Sequence, residues 1–436
     1  MRPQKPSPAS VAPAARSAAL PSHPLPAGMR DLLPSEALQR RKLARRLLDQ
    51  YALHGFDLVT PPAFELADVL ERGLGALDPR DVLRFVDPES GEIAALRPDV
   101  TPQIARMAAT RLADRPMPMR LCYEGTVLRL RQERARKHRQ IPQTGVELLG
   151  VGQPEGDIEL MALAAAATRA VGLTDFVLDL GHADIARALL SDLPRELAGA
   201  VLDALAHKDA AILVHLMKTA MAPAPVARAL VELPKLHGDA SIWNDAEKLL
   251  APTAAAGALA ALRDLWNRAA GEGLESILRV DLGEVRGFAY YTGAIFHIFA
   301  EGPGEPIGSG GRYDDLLGRF GMPMPAAGFA LDLDNLSWAL RSRGGDEPLD
   351  ARVVVALGRR SNAVCRELRS RGISCVIDAG TSAEAYARAW GFSHVLRAGG
   401  PTDVELLEVS SGASRALFAA SEAELGSRLA ETLGTR

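Results

Sequence analysis

The sequence predicts an α+β protein, a mixed or antiparallel sheet flanked by helices, with a helical insertion and a small α/β domain at the C-terminal end. Three observations carry this prediction. Strand-like alternation occupies much of residues 93–150 and returns after residue 277. From Asp184 to Ala270 the chain turns Ala- and Leu-rich with helical periodicity and Pro and Gly breaks. Beyond residue 350, short apolar runs alternate with helical segments.

Residues 1–24 are rich in Ala, Ser and Pro, with Arg2, Lys5 and Arg16 but no apolar stretch of signal-peptide type, and are expected to form a disordered tail. The core then runs over 25–340. Ser35 to Leu53 carries Leu43, Leu47 and Tyr51 at helical spacing, with Gly55 where a C-cap belongs. Phe56 to Thr60 alternates apolar and polar residues and stops at Pro61-Pro62, as a strand does before residues that cannot donate to a ladder. Ile93 to Val100 and parts of Met119 to Gly150 read as strands, separated by a helix from Thr101 to Ala113 with Thr101 as N-cap and Pro102 at its first position.

After the insertion, about 184–270, strands are expected at Ile277 to Leu282 and Ala289 to Phe299. A Gly-rich turn at Gly308 to Gly311 and a helix from near Leu331 follow. Residues 341–350, with two Gly, one Pro and five charges, look like a linker. In the domain at 351–436, strands are expected at Val353 to Leu357, Cys375 to Ile377, Val395 to Leu396 and Val404 to Val409.

Composition excludes several function classes. A 436-residue chain with 47% hydrophobic residues can build a core and a second unit. Its net charge of -4 gives no overall electrostatic footprint for nucleic acid. Cys122, Cys365 and Cys375 are too few and too scattered for a disulfide framework or a Cys-rich zinc site, which fits a reducing cytoplasm. The nine histidines form no HExxH pair and no Gly-rich stretch has P-loop spacing, so neither a metal nor a cofactor is expected. No apolar run reaches the roughly 20 residues of a membrane span.

Four stretches point one way as a set. They are Leu96 to Gln103 (LRPDVTPQ), the run Arg120 to Gly150 containing Gln143 to Glu147 (QTGVE), Val285 to Tyr291 (VRGFAYY), and Gly310 to Asp314 (GGRYD). Together, in this order over about Leu25 to Leu340, they resemble histidyl-tRNA synthetase, and the C-terminal domain looks like a shortened form of that family's anticodon-binding domain. The resemblance implies a class II aminoacyl-tRNA synthetase-like core that forms a dimer. It also implies a pocket for free histidine built from Asp99, Thr101, Gln143, Glu147, Arg286, Tyr290 and Tyr291, with Arg129 facing the ligand from the second signature.

The residue types suit that task. Asp99 and Glu147 can take ammonium or imidazole N–H groups through charge-assisted hydrogen bonds, Gln143 both donates and accepts, and Arg286 can fork onto a carboxylate. Tyr290 and Tyr291 supply an aromatic wall. Each also has a plainer role available: Thr101 as a cap, the tyrosines as cross-strand packing, Arg286 and Glu147 as a mutual salt bridge.

The nucleotide half departs from the synthetase pattern. Class II synthetases need cations on the phosphates of ATP and a reader for adenine. The family's Arg-x-Glu stands here as Arg129-Leu130-Arg131, so the phosphate-facing arginine survives while the glutamate has become Arg131, and its Gly-x-Glu-Arg stands as Asp332-Leu333-Asp334-Asn335. Asp332 would set a carboxylate against the phosphates, a repulsion of order a few kcal/mol in a partly desolvated site. Ala289 also replaces the Asp that usually precedes the two tyrosines.

A kept histidine half beside an eroded ATP half resembles the regulatory subunit of ATP phosphoribosyltransferase, with which the chain also shares the Arg97 to Arg106 run and Leu-Ala-His-Lys-Asp-Ala-Ala around Lys208. That resemblance implies a non-catalytic subunit in a hetero-octamer with a short-form catalytic chain, which it activates and makes sensitive to histidine in the first step of histidine biosynthesis. No tRNA partner and no membrane partner are expected. The alternatives are a working histidine-tRNA ligase and a stand-alone sensing or tRNA-binding paralogue, which the C-terminal domain keeps open.

Overall fold

The structure, a computed structural model, describes residues 25–74, 82–130, 138–285, 291–344, 351–378, 380, 382–398 and 403–433. Among these, nine strands form the central sheet, in the order Asp57–Leu58, Met119–Leu128, Gln140–Leu149, Ala326–Asp332, Gly308–Arg312, Ala294–Phe299, Val177–His182, Leu278–Asp281, His237–Gly238. Pairing is antiparallel except where Asp57–Leu58 meets Met119–Leu128 and where Val177–His182 meets Leu278–Asp281. The expected mixed sheet of the class II type is therefore present.

Two layers of side chains cover the sheet. On one face the helix Pro34–Leu53 contributes Leu43, Leu47 and Tyr51, one buried residue per turn, and packs with the helix Glu155–Ala170 over Val146, Leu148 and Phe329. On the other, Ile104, Ala105 and Ala108 of the helix Thr101–Thr110 pack with Val100, Tyr123, Tyr313 and Leu316. This second layer holds the candidate residues.

Helices Ala183–Leu190, Arg195–Ala206, Ala210–Thr219, Ala224–Glu232, Trp243–Leu250 and Ala256–Ala269 fill the stretch read as an insertion, and their apolar faces join the core of the sheet's first side. In the C-terminal region Arg352–Ala356, Ser374–Ile377, His394–Ala398, Asp403–Glu408 and Ser414–Phe418 form a separate five-stranded sheet with its own core around Val353, Val355 and Leu368.

Three expectations are corrected. Gly308 to Gly311 is not a turn: Gly308–Arg312 is a central strand, and a Cβ at Gly310 would lie 2.5 Å from the Gly328 carbonyl oxygen. Glycine there serves close approach of strands, not chain reversal. Ile93–Leu96 belongs to a small three-stranded sheet with Phe64–Leu66 and Arg84–Val86, not to the main one. Thr101 does not cap its helix; its backbone N–H donates to the Asp99 carboxylate at 3.1 Å, and its hydroxyl points into the sheet.

Candidate functional site

Strand register fixes which residues share the second face. Leu121, Glu147, Gly328, Gly311 and Ile295 lie in one cross-strand row, and Tyr123, Gly145, Ala330, Ser309 and His297 in the next. Gly125, Gln143 and Asp332 make a third. Side chains two apart on a strand point the same way, so Glu147, Gln143, Tyr123 and Asp332 stand on one surface. On one side of Glu147 the next two positions in its row, Gly328 and then Gly311, are glycines. A Cβ on Gly328 would fall 2.3 Å from Glu147 Oε2 and 2.4 Å from the Val146 carbonyl.

Glu147 is the centre of this surface. It is 1% exposed, and its Oε1 accepts from the Thr101 hydroxyl at 2.5 Å. Oε2 is buried with no hydrogen-bond partner among the described residues. Burial pushes its carboxyl well above the usual range; the Thr101 hydrogen bond opposes this, and the nearby Asp99 carboxylate adds to it. An orphaned buried carboxyl oxygen is costly, so it marks a place where an N–H or cationic donor would be stabilising.

Around Glu147 the other candidates gather. Asp99 holds the Thr101 amide, and Arg129 Nε donates to the Pro98 carbonyl at 3.2 Å. Tyr291 lies against Gly311, where a Cβ would meet its ring at 2.9 Å. Burial raises its phenol, with Asp99 and Glu147 adding and Arg129 opposing. Gln143 Nε2 donates to the Tyr123 hydroxyl at 3.2 Å. Asp99, Thr101, Arg129, Gln143, Glu147 and Tyr291 are thus brought together, while Arg286 and Tyr290, like Arg131 and Ala289, lie outside the described residues.

Sequence reasoning missed Tyr123. It is buried, and its phenol is raised by burial first and then by Glu147 and Asp99. Its signal is faint: a tyrosine facing Gly145, the glycine of the QTGVE stretch, which leaves room for the hydroxyl. Arg97, from the LRPDVTPQ stretch, is buried and donates to the carbonyls of Thr126, Pro61 and Pro62 at 2.9 to 3.2 Å, tying that stretch to its neighbours. An open cleft of about 380 Å³ between Asp184, Arg187, Asp314 and Arg319 lies on the backbone side of Tyr291, where Arg187 donates to the Tyr291 carbonyl at 2.8 Å. The buried polar groups, not this cleft, define the site.

At the other end of the same surface, Asp332 accepts from the amides of Asp334 and Asn335 at 2.9 and 3.1 Å, capping the helix Leu333–Ser342. Its role is more specific than simple repulsion of phosphate, because an internal anion already takes N–H groups that a helix start would offer a ligand. Asn335 is 2% exposed and donates to the Pro306 carbonyl at 3.0 Å. Asp334 pairs with Arg30 at 2.7 Å. The positions where the synthetases keep Gly and Arg are therefore spent on local structure.

With this geometry in hand, comparison with known proteins gives a consistent answer. The family model for histidyl-tRNA synthetase matches residues 28–336. The ATP phosphoribosyltransferase regulatory subunit of Syntrophotalea carbinolica is 35% identical over 417 residues, covering 92% of this chain and 97% of that one. The chain belongs to the ATP phosphoribosyltransferase regulatory subunit family. A regulatory subunit from an Anaeromyxobacter species is 42% identical over 330 residues, 75% of this chain but 96% of its own. The family thus includes chains of both lengths, and the C-terminal domain is compatible with membership. A solved ATP phosphoribosyltransferase regulatory subunit/histidyl-tRNA synthetase from Bacillus halodurans superimposes with a TM-score of 0.74 at 28% identity, covering 86% of this chain and 97% of that one. Among the described residues no helix is long and apolar enough to cross a membrane.

Proposed function

We propose that this chain is the histidine-sensing, non-catalytic regulatory subunit of ATP phosphoribosyltransferase. It is required for full activity of the short-form catalytic subunit and transmits feedback inhibition by histidine in the first step of histidine biosynthesis. The observation that carries this reading is the asymmetry of one sheet surface. Glu147 keeps an unpartnered buried carboxyl oxygen against Gly328, while Asp332 and Asn335 are turned to helix capping and a backbone bond.

Histidine suits the first half because it carries ammonium and imidazole N–H donors for Asp99 and Glu147 and a carboxylate for a cation, with Arg129, Arg286 and Gln143 as candidate partners and Tyr290 and Tyr291 as its aromatic wall. The chain would self-associate as a dimer and assemble with the catalytic chain into a hetero-octamer in the cytoplasm, with no tRNA partner. Inhibition then follows if histidine binds two states of the assembly unequally, a coupling of ordinary size being about 1 to 3 kcal/mol.

The family's shared synthetase core and the C-terminal domain favour a second reading, a histidine-tRNA ligase. Against it stand Asp332 and Asn335, which put a carboxylate where the synthetase nucleotide pattern has glycine and a neutral amide where it has arginine. Size-exclusion chromatography with the short catalytic chain, joined to histidine calorimetry on the isolated chain, separates the two. Co-elution with measurable histidine uptake supports the regulatory role, and failure of both rejects it.

A further inference from the structure

Lys208 stands in an uncomfortable backbone position. It follows the C-cap of the helix Arg195–Ala206 with φ of 52°, and with Met221 it is one of two described non-glycine residues in the left-handed region. Glycine is the ordinary occupant of such a place, and a side chain there costs on the order of 1 kcal/mol. The position is closed by Lys208 and Asp209 amides donating to Leu205 and Ala204 carbonyls at 2.9 and 2.8 Å. Met221, the other case, is 89% exposed, whereas Lys208 Nζ reaches Asp281 Oδ2 at 2.8 Å.

Asp281 is buried at the end of the strand Leu278–Asp281, where a tight turn begins. Its side chain is 10% exposed, and its Oδ1 accepts from the Gly283 amide at 2.9 Å. The insertion grips this turn from behind: the Leu282 amide donates to the Leu236 carbonyl at 3.0 Å, and a Cβ on Gly283 would lie 2.9 Å from Pro234 Cα. Glu284, next along, is buried with its carboxylate 3.9 Å from His297 Nδ1, on the strand Ala294–Phe299 that follows Tyr291 and Thr292. In sequence the turn leads into Arg286 to Tyr291.

We propose that Lys208 is a positioning residue for the ligand pocket, clamping Asp281 so that the helical insertion sets the placement of the 281–285 turn and, through it, of the Tyr291 side of the site. The clamp rests on the reading of that site as a histidine pocket only for its effect on affinity. Its structural effect stands apart from any ligand. The Lys208 side chain is 45% exposed, so its pairing with Asp281 adds little to overall stability. Its influence is local.

The test uses the full chain and the variants Lys208→Gly and Lys208→Arg. Glycine relieves the backbone while removing the clamp, so the melting temperature should stay the same or rise. Amide hydrogen exchange at 282–285 and 291–293 should nevertheless speed up at least threefold, and histidine affinity by calorimetry should fall about threefold to tenfold. Lys208→Arg should behave as wild type, because it keeps a cation on Asp281. A purely structural role would move stability and exchange together and leave affinity alone. Unchanged exchange at 291–293 in Lys208→Gly overturns the proposal. If the wild-type chain takes up no histidine, the ligand reading falls while the exchange comparison still decides the part played by Lys208.

Discussion

The two ends of one sheet surface differ in how their polar groups are used. Around Glu147, buried polar atoms are held near one another yet left incompletely satisfied: Oε2 has no described partner, and Tyr123, Tyr291 and Asp99 crowd it. Asp332, four positions beyond Gly328 on the neighbouring strand, and Asp334 and Asn335 of the helix that follows have their polar groups bound to two helix amides, to Arg30 and to Pro306. The first end leaves a buried carboxyl oxygen open, which the proposed function assigns to a ligand, and the second is closed by bonds within the protein. Fold alone does not separate these cases, because the same strands carry both ends.

That contrast can be broken by experiment. The largest effect is expected at Asn335→Arg, which restores the synthetase residue type. A guanidinium at a 2%-exposed position loses the Pro306 bond and must be desolvated, so the variant should be destabilised by about 3 kcal/mol in urea melts. It should also show no histidine-dependent ATP–pyrophosphate exchange, as should the wild type. Exchange at a synthetase-like rate in either would remove the contrast.

Next in size is Gly328→Ala. The added methyl meets Glu147 Oε2 and the Val146 carbonyl, so it should cost about 2 kcal/mol and abolish histidine binding by calorimetry, because it fills the space the pocket depends on. Binding unimpaired in a folded variant would place the ligand elsewhere. Asp332→Ala removes a helix cap and should cost about 1 kcal/mol while leaving histidine affinity unchanged, which sharpens the separation of the two ends.

The smallest effect is one of pH. The Glu147 carboxyl is raised in the folded chain, so its favourable contribution is complete below the unfolded carboxylate value of about 4.3 and is lost as pH rises through the folded value. Glu147→Gln is neutral throughout. The variant should therefore melt higher than wild type at pH 8, with the gap closing toward pH 4, and should bind histidine more weakly. A gap that widens on acidification would show that Glu147 is ionised in the free chain.

Most candidate residues were legible because motifs tie them to short stretches: Asp99 and Thr101 in one, Gln143 and Glu147 in another. What the sequence did not disclose depends on contacts across strands. Tyr123 joins the site only through its register with Gly145, and Thr101 reads as a helix cap until Glu147, 46 residues away, is brought to its hydroxyl. The glycines at 308–311 carry the local signature of a turn. Their real reason is tertiary: Ala330 and Leu331 close on Gly308, Gly328 and Phe329 on Gly310, and Ala294 of the opposite strand on Gly311. Phe64–Leu66 and Arg84–Val86 are three residues each and partly exposed, too short for alternation to show.

The central claim is that a preserved amino-acid pocket on a core with an altered nucleotide end serves another enzyme. It is tested most directly by phosphoribosyl transfer from the short-form catalytic chain, measured with and without this protein across a histidine titration. The account predicts that adding the protein raises the rate and that histidine then lowers it, with Gly328→Ala retaining the activation and losing the inhibition. A rate indifferent to the protein, or inhibition by histidine that is the same with Gly328→Ala as with wild type, would contradict it.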